Sequence, residues 1–356
     1  MKQSCFLGCI LWVVSAIFCG TVYAQNMAVR PDSLQQTVKG TKKPRPLFAA
    51  DSVKTFTLTA DWRPLLKDRT ETAPARPATL TFLDNQRQPV KLPLTLKVRG
   101  NFRRNRTNCT FPPLLIDFPK KATRKTLFAH QNKLKLVTHC QVDEWVVREF
   151  MVYKLYNLIT DLSFQAQLAR VTYADSTGKR PDETHWAFLL EDDDDLAKRS
   201  RMTISPIKRT TMVYTDSLQM ATVAIFEYMI GNTDWSVPYL HNIRLIDNGR
   251  PYTLPVPYDF DHAGIVDVSY ARPPEQLGLK SVRERVYRGL VYPMPVFQRV
   301  FELFNRMRPQ VYALYQNENR LDKSYVKRTL KYLDEFYAII SKPTSAVALL
   351  TADVRK

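Results

Sequence analysis

Through most of the first half of the chain, apolar and polar residues alternate with a period of two. Runs at 53–59 and 78–83 read as strands, the second ending in the turn-prone pair Asp84-Asn85. Further runs at 94–99, 114–118 and 133–137 continue the pattern, and Gly100 closes the first of these. Alternation bounded by turn residues is the signature of half-buried strands. The period changes at 142–158. Apolar residues at 146, 150, 153, 155 and 158 form a helical stripe there, and Asp143-Glu144 suit its first turn. Two more strands, 168–173 and 186–190, flank a turn over 175–182. Beyond the acidic run 191–195 the chain becomes helical, with helices at 218–230, 294–316 and 322–341 and a hairpin at 243–246 and 252–256. Strands first and helices later predict an α+β chain with a strand-rich N-lobe and a helix-rich C-lobe. At 356 residues the chain can bury a sizeable core in two lobes, expected at 49–190 and 191–345 with 346–356 as a tail.

The N-terminus changes where the protein is expected to act. Lys2, an apolar run from Cys5 to Val22 and small residues at Val22 and Ala24 read as a secretory signal peptide cut near Ala24. No later segment is apolar enough to span a bilayer, so an exported chain, periplasmic or secreted, is expected. Residues 25–48 are polar, basic and proline-bearing, and read as a flexible leader. Cys5, Cys9 and Cys19 leave with the signal, while Cys109 and Cys140 remain in one lobe and suit a single disulfide. A structural zinc site would need His130 and His139 to join them. The net charge of +18 predicts attraction to an anionic partner. Nucleic acid is not favoured, because no known module is present and export separates the chain from chromosomal DNA.

Candidate chemistry concentrates at 229–264, where Asp234 follows the turn-prone Gly231-Asn232-Thr233. Asn242 precedes one strand, and Asp259 and Asp261 follow the next. Carboxylates and an amide oxygen at strand ends suit Mg²⁺ or Mn²⁺, with Asp234 left to meet a hydroxyl. The competing reading makes these residues ordinary turn-stabilising side chains; His241 is read as structural. Lys135 on a strand and Glu149 on the next helix suit a phosphate-anchoring ion pair, with Lys133, Lys97 and Arg99 competing for the lysine's role. Arg99 opens the basic run 99–106, either a phosphate-facing turn or a solvated hairpin. The acids 191–195 read as a solvated turn at an interlobe hinge, with the backbone near Glu191 placed to meet a nucleotide base.

Four stretches carry a family resemblance: 96–101 (LKVRGN), 133–149, 171–199 and 231–264. With these the chain resembles the CotH-like kinase group of atypical kinase-fold proteins, and its last stretch also resembles the GN-x-D…N motif of HipA-type kinases. Its RGNFRR, FPPL, LKLVTHC, GNTDW and PYDFD segments are similar to those of a broad set of exported bacterial proteins. The resemblance implies a two-lobed atypical kinase-like fold and metal-dependent phosphoryl transfer from ATP to a protein or envelope acceptor. It implies Asp234 as the catalytic acid, Asn242 and Asp259 as metal ligands with Asp261 nearby, and Lys135 with Glu149 at the phosphates. Asp234 and Asn242 stand eight residues apart, where kinase catalytic loops use about five, and no glycine-rich G-x-G-x-x-G loop is present. An inactive pseudokinase-like binding protein, a metal-dependent phosphoesterase and an AMP-transferring variant are the alternatives.

Overall fold

The computed structural model describes residues 44–119 and 121–352. The expected export signal at 1–24 lies outside them, as does most of the leader 25–48. The end of that leader is structured: Pro46–Phe48 forms a short 3-10 turn that buries Leu47 and Phe48.

Among the described residues, the longer regular elements of the first half are seven strands and two α-helices. β1 (Lys54–Ala60), β2 (Arg76–Leu83), β3 (Pro89–Val98), β4 (Leu114–Asp117), β5 (Lys133–Val137), β6 (Ala166–Asp175) and β7 (Glu183–Leu190) close into a barrel in the order β1-β2-β3-β4-β5-β7-β6. The neighbours pair antiparallel except at the seam, where β1 runs parallel to β6 from Lys54↔Ala169 to Ala60↔Asp175. Closure removes the exposed edges that an open sheet would leave. The period-two residues explain its core. Phe56, Leu58, Leu80, Leu94, Leu96, Ile116, Leu134, Leu136, Val171 and Leu189 fill the interior. α1 (Trp62–Lys67), which the alternation did not reveal, buries Trp62, whose indole N–H donates to the Ala174 carbonyl at 2.8 Å.

β6 over 166–169 and β7 over 187–190 are buried on both faces. Leu168, Phe188 and Leu190 turn outward onto α2 (Asp143–Ile159), which also packs against α5 (Met294–Gln316). This sandwiching explains why α2 buries Val147, Met151, Val152, Tyr156 and Ile159 beyond the one stripe expected of it. α3 (Asp193–Arg199), α4 (Ser217–Ile230), α5, α6 (Lys323–Ile340) and α7 (Pro343–Ala352) build the helical half around one continuous apolar cluster. A small sheet of β8 (Thr203–Ile204), β9 (Ile243–Asp247) and β10 (Leu254–Pro257) completes it. The expected tail from 346 begins inside α7, which buries Ala346 and Leu350. Among the described residues no helix is long and apolar enough to cross a membrane.

Cys109 and Cys140 form a disulfide with sequence separation 31. Closing a loop of that length contributes about 3–4 kcal/mol in the chain-entropy account. The link pins the loop after β3 to the loop before α2, and the Phe111 amide reinforces it by donating to the Cys140 carbonyl at 3.1 Å.

His139, beside the disulfide, is buried and stacks on His185 with ring centroids 3.7 Å apart. Burial and the neighbouring His185 push its pKa down to about 4, against the opposing pull of Asp143 and Glu183. Between the ordinary value of 6.5 and about 4, the unfolded chain therefore binds a proton that the folded chain refuses. Stability falls as pH drops through that window, by about 3 kcal/mol at full extent. His139→Phe keeps an aromatic ring in the stack and is expected to flatten this part of the stability curve. Chemical denaturation of both forms at pH 7, 5.5 and 4 measures it. An unchanged slope would remove His139 as the source.

Candidate functional site

α4 aims its C-terminus at the site. Asp216 caps its start by accepting from the Gln219 amide at 2.9 Å, and eleven residues in succession from Met220 to Ile230 are buried. Gly231 ends the helix in the left-handed region at φ 67°. A Cβ at that position would lie 2.1 Å from the Tyr332 hydroxyl, so glycine is required twice over. The chain then turns through Asn232, whose side-chain oxygen accepts from the Asp234 amide at 2.9 Å. Arg288 fastens the far side of the turn by donating to the Trp235 carbonyl at 2.8 Å and lying over the Trp235 ring.

Asp234 and Asn242 meet despite their eight-residue spacing. The Asn242 amide donates to the Asp234 backbone carbonyl at 2.7 Å and to its carboxylate at 3.1 Å. The intervening residues fold back through the Ser236–His241 bridge, which brings His241 Nε2 to 2.8 Å from Asp234 Oδ1. Burial opposes ionisation of Asp234. Hydrogen bonding and charge from His241, the charge of His262 and the Asn242 amide outweigh it and lower its pKa. Asp234 is thus held as a carboxylate that accepts, and the bond to Asp234 in turn raises the pKa of His241. The Asn242 amide nitrogen is committed to Asp234, which leaves the side-chain oxygen, the atom a hard cation takes, without a hydrogen bond among the described residues.

Asp259 follows β10 as expected. The Tyr258 amide donates to the Asn242 carbonyl at 3.0 Å, so the two strand ends lie side by side. Leu240, Asn242 and Asp259 all adopt positive φ, at 49°, 52° and 62°. Such conformations cost non-glycine residues of order 1 kcal/mol each and cluster where geometry is imposed for function. The Asp259 carboxylate is 43 % exposed, whereas Asp261 is buried and committed to the Tyr270 hydroxyl at 2.9 Å and to Arg103 at 3.2 Å.

Three sequence expectations are corrected. Lys135 does not pair with Glu149: its ammonium meets Asp193 at 2.8 Å, and Glu149 is bound by Arg103 at 3.0 Å. The disulfide-held loop brings Arg103 to the inner side of α2, where it occupies the carboxylate. Glu191 does not lie open at a hinge. Its amide donates to the Gln165 carbonyl at 2.9 Å, and its buried carboxylate holds Arg199 at 2.9 Å. The acids that follow are no solvated turn, since Asp192 caps α3 and Asp193–Asp195 form its first turn, where the helix dipole favours negative charge.

Two charge clusters flank the Tyr258–Asp259 step. On one side Asp193 is shared by Lys135 and Arg244, the latter at 2.6 Å, and both cations lie near the Tyr258 ring. Burial raises the pKa of Tyr258, and the charges of Arg244, Asp259, Asp193 and, least of these, Arg99 also act on it. On the other side the single guanidinium of Arg103 faces Glu149, Asp259 and Asp261. Burial raises the pKa of Glu149 and of Asp261 although Arg103 pulls both down. Arg244 and Arg103 escaped sequence reading. Only the basic run around Arg103 hinted at its role.

Beside Asp234 opens a cavity of about 440 Å³ lined by Trp235, Tyr239, His241, Pro274 and Arg288. No family model matches the chain, and no curated protein matches it in sequence.

Arg103→Gln would leave the buried carboxylates without their cation, a change that typically costs 3–5 kcal/mol. Both raised carboxyls can take up protons in the folded state, so the loss should shrink as pH falls. Denaturation of both forms at pH 7.5 and 5 is expected to show the smaller difference at pH 5. An equal loss at both would refute charge repulsion as its origin.

Proposed function

We propose that the chain is a metal-dependent phosphotransferase of kinase-like plan that moves a phosphoryl group from ATP to an exported protein or envelope acceptor. The observation that carries this reading is the meeting of Asp234, Asn242 and Asp259 next to the cation pair Lys135 and Arg244. Cation-binding oxygens beside phosphate-binding nitrogens are the two parts phosphoryl transfer needs, since catalysis there is positioning and charge neutralisation. The element order supports the same plan. A lysine-bearing strand precedes a glutamate-bearing helix and two strands; α3, β8 and α4 follow, and then come the Asp234 turn, a hairpin and Asp259.

Asn242 and Asp259 would hold Mg²⁺ or Mn²⁺, which when bound neutralises phosphate charge. Lys135 and Arg244, now sharing Asp193, would exchange that carboxylate for phosphate oxygens. Asp234, kept ionised by His241 and Asn242, would orient an acceptor hydroxyl entering through the 440 Å³ cavity. AMP transfer would use the same groups.

A second reading has its own support. Arg103 already neutralises Asp259 at 3.2 Å, as suits a pseudokinase-like binding protein in which a side chain replaces the metal.

Calorimetric titration of the purified chain with ATP, with and without Mg²⁺ or Mn²⁺, separates the two. The phosphotransferase reading expects metal-dependent binding that Asp259→Ala weakens at least ~10-fold, a difference of about 1.4 kcal/mol. It also expects Asp193→Asn to tighten binding severalfold by releasing Lys135 and Arg244. ATP binding that ignores both metal and Asp259→Ala supports the binding protein, and no binding under any condition sinks the nucleotide site.

A further inference from the structure

At one end of the barrel lies a second cavity, about 900 Å³ in volume, that shares no lining residue with the site around Asp234 and Asp259. It is an open groove whose walls come from α1 and the residues just after it, the disulfide-held loop and the β6–β7 turn. Arg63, Lys67, Arg69, Arg106, Lys179 and Arg180 line it, against the single acid Asp175. That acid is committed to the Thr177 hydroxyl and to the Lys179 amide at 2.9 Å. Arg180 is paired with Glu183. Among the described residues the other five cations have no carboxylate partner.

Two of the guanidinium groups are fixed rather than waving in solvent. Arg69 donates to the Leu66 carbonyl at 3.1 Å and to the Cys109 carbonyl at 2.7 Å. Arg106 donates to the same Leu66 carbonyl at 3.0 Å and to that of Lys67 at 2.7 Å. Two like charges therefore converge on one carbonyl oxygen. Burial lowers the pKa of Arg69, and the charge of Arg106 lowers it further. Folding assembles this repulsion without supplying an acid to relieve it. A solvated basic face would spread such charges apart, whereas here neutral acceptors hold them in place.

We propose that this cavity is a binding site for a small ligand carrying two or more phosphate groups. Planar guanidinium forks match phosphate oxygens in pairs, and the flanking lysines add point charges. The volume suits a small molecule. Nucleic acid is disfavoured because no aromatic side chain is among the described residues lining the groove, so it offers no stacking platform.

The test titrates the full chain with inorganic tripolyphosphate in EDTA at low and moderate salt, with citrate as a carboxylate control. The expected result is one site whose affinity falls with salt and roughly tenfold or more in Lys67→Glu/Lys179→Glu. Both lysines are exposed, so this variant should retain the fold, and Arg106→Gln provides a second probe. Asp259→Ala should leave the binding unchanged, which separates this site from the proposed nucleotide site. Absence of binding, equal affinity in both groove variants, loss in Asp259→Ala, or citrate binding as tightly as tripolyphosphate would each overturn the assignment.

Discussion

The guanidinium of Arg103 is the contact on which the two halves of the molecule depend. It arrives on a loop of the barrel, yet its partners are Glu149 on α2 and Asp259 and Asp261 after β10. Taking one cation and two buried carboxylates out of water is costly, and only close pairing makes such a group tolerable. The cluster therefore constrains everything that touches it: the rotation of α2, the path of the chain after β10 and the distance between barrel and helical body. The Cys109–Cys140 disulfide works on the same loop from its other end, so a covalent link and a buried ion cluster bracket the loop that carries Arg103.

Around that anchor the site is built by backbone geometry more than by side-chain number. Gly231 lets α4 stop against Tyr332, and the turn that follows places the Asp234 carboxylate within reach of both His241 and Asn242. Positive φ at Leu240, Asn242 and Asp259 shows the backbone bent at the points where the candidate ligands emerge. Such bends persist only where the surroundings over-determine them. Here the surroundings are the hairpin of β9 and β10, the amide of Asp259 held by Tyr153 at 2.8 Å, and the buried α4.

Periodicity made most of the elements legible. The long helix 294–316 and the strand 133–137 fall at the residues the pattern marks, because each has one face in a core and one outside it. The barrel's closure was not legible. The β1–β6 seam joins residues more than a hundred positions apart, and nothing local in Lys54–Ala60 announces a parallel neighbour. α1 escaped because six residues are too few to show a helical period. At the site, the positions of Asp234, Asn242 and Asp259 could be read from turn and strand-end chemistry, but the ion partners could not. Five adjacent acids read as solvated. Their partners are Arg45 for Asp195, Lys135 and Arg244 for Asp193, and Arg199 for Glu191, most of them contacts that only the tertiary fold creates. The same limit misassigned Glu149, since sequence order favours Lys135 while the folded loop presents Arg103.

The distribution of charge gives the basic composition its meaning. A net charge of +18 spread evenly would make a uniformly cationic surface. Instead the molecule separates its imbalances. Inside the Arg103 cluster three carboxylates face one cation, and burial resists the full ionisation of two of them. Beside it Lys135 and Arg244 gather around Tyr258 with Asp193 as their shared acid. An excess of carboxylate favours a cation, and an excess of ammonium and guanidinium favours an anion. The two lie on either side of a single residue step, and under the proposed function the ligand that would satisfy both at once is a phosphate chain with a divalent metal attached. Neither component alone does so: free metal leaves the cation group repelling it, and free phosphate meets the carboxylates. On the proposed function, this pairing of opposite imbalances would favour the metal–phosphate complex over either part alone, which is the electrostatic argument for a nucleotide at Asp259 in place of a bare metal ion.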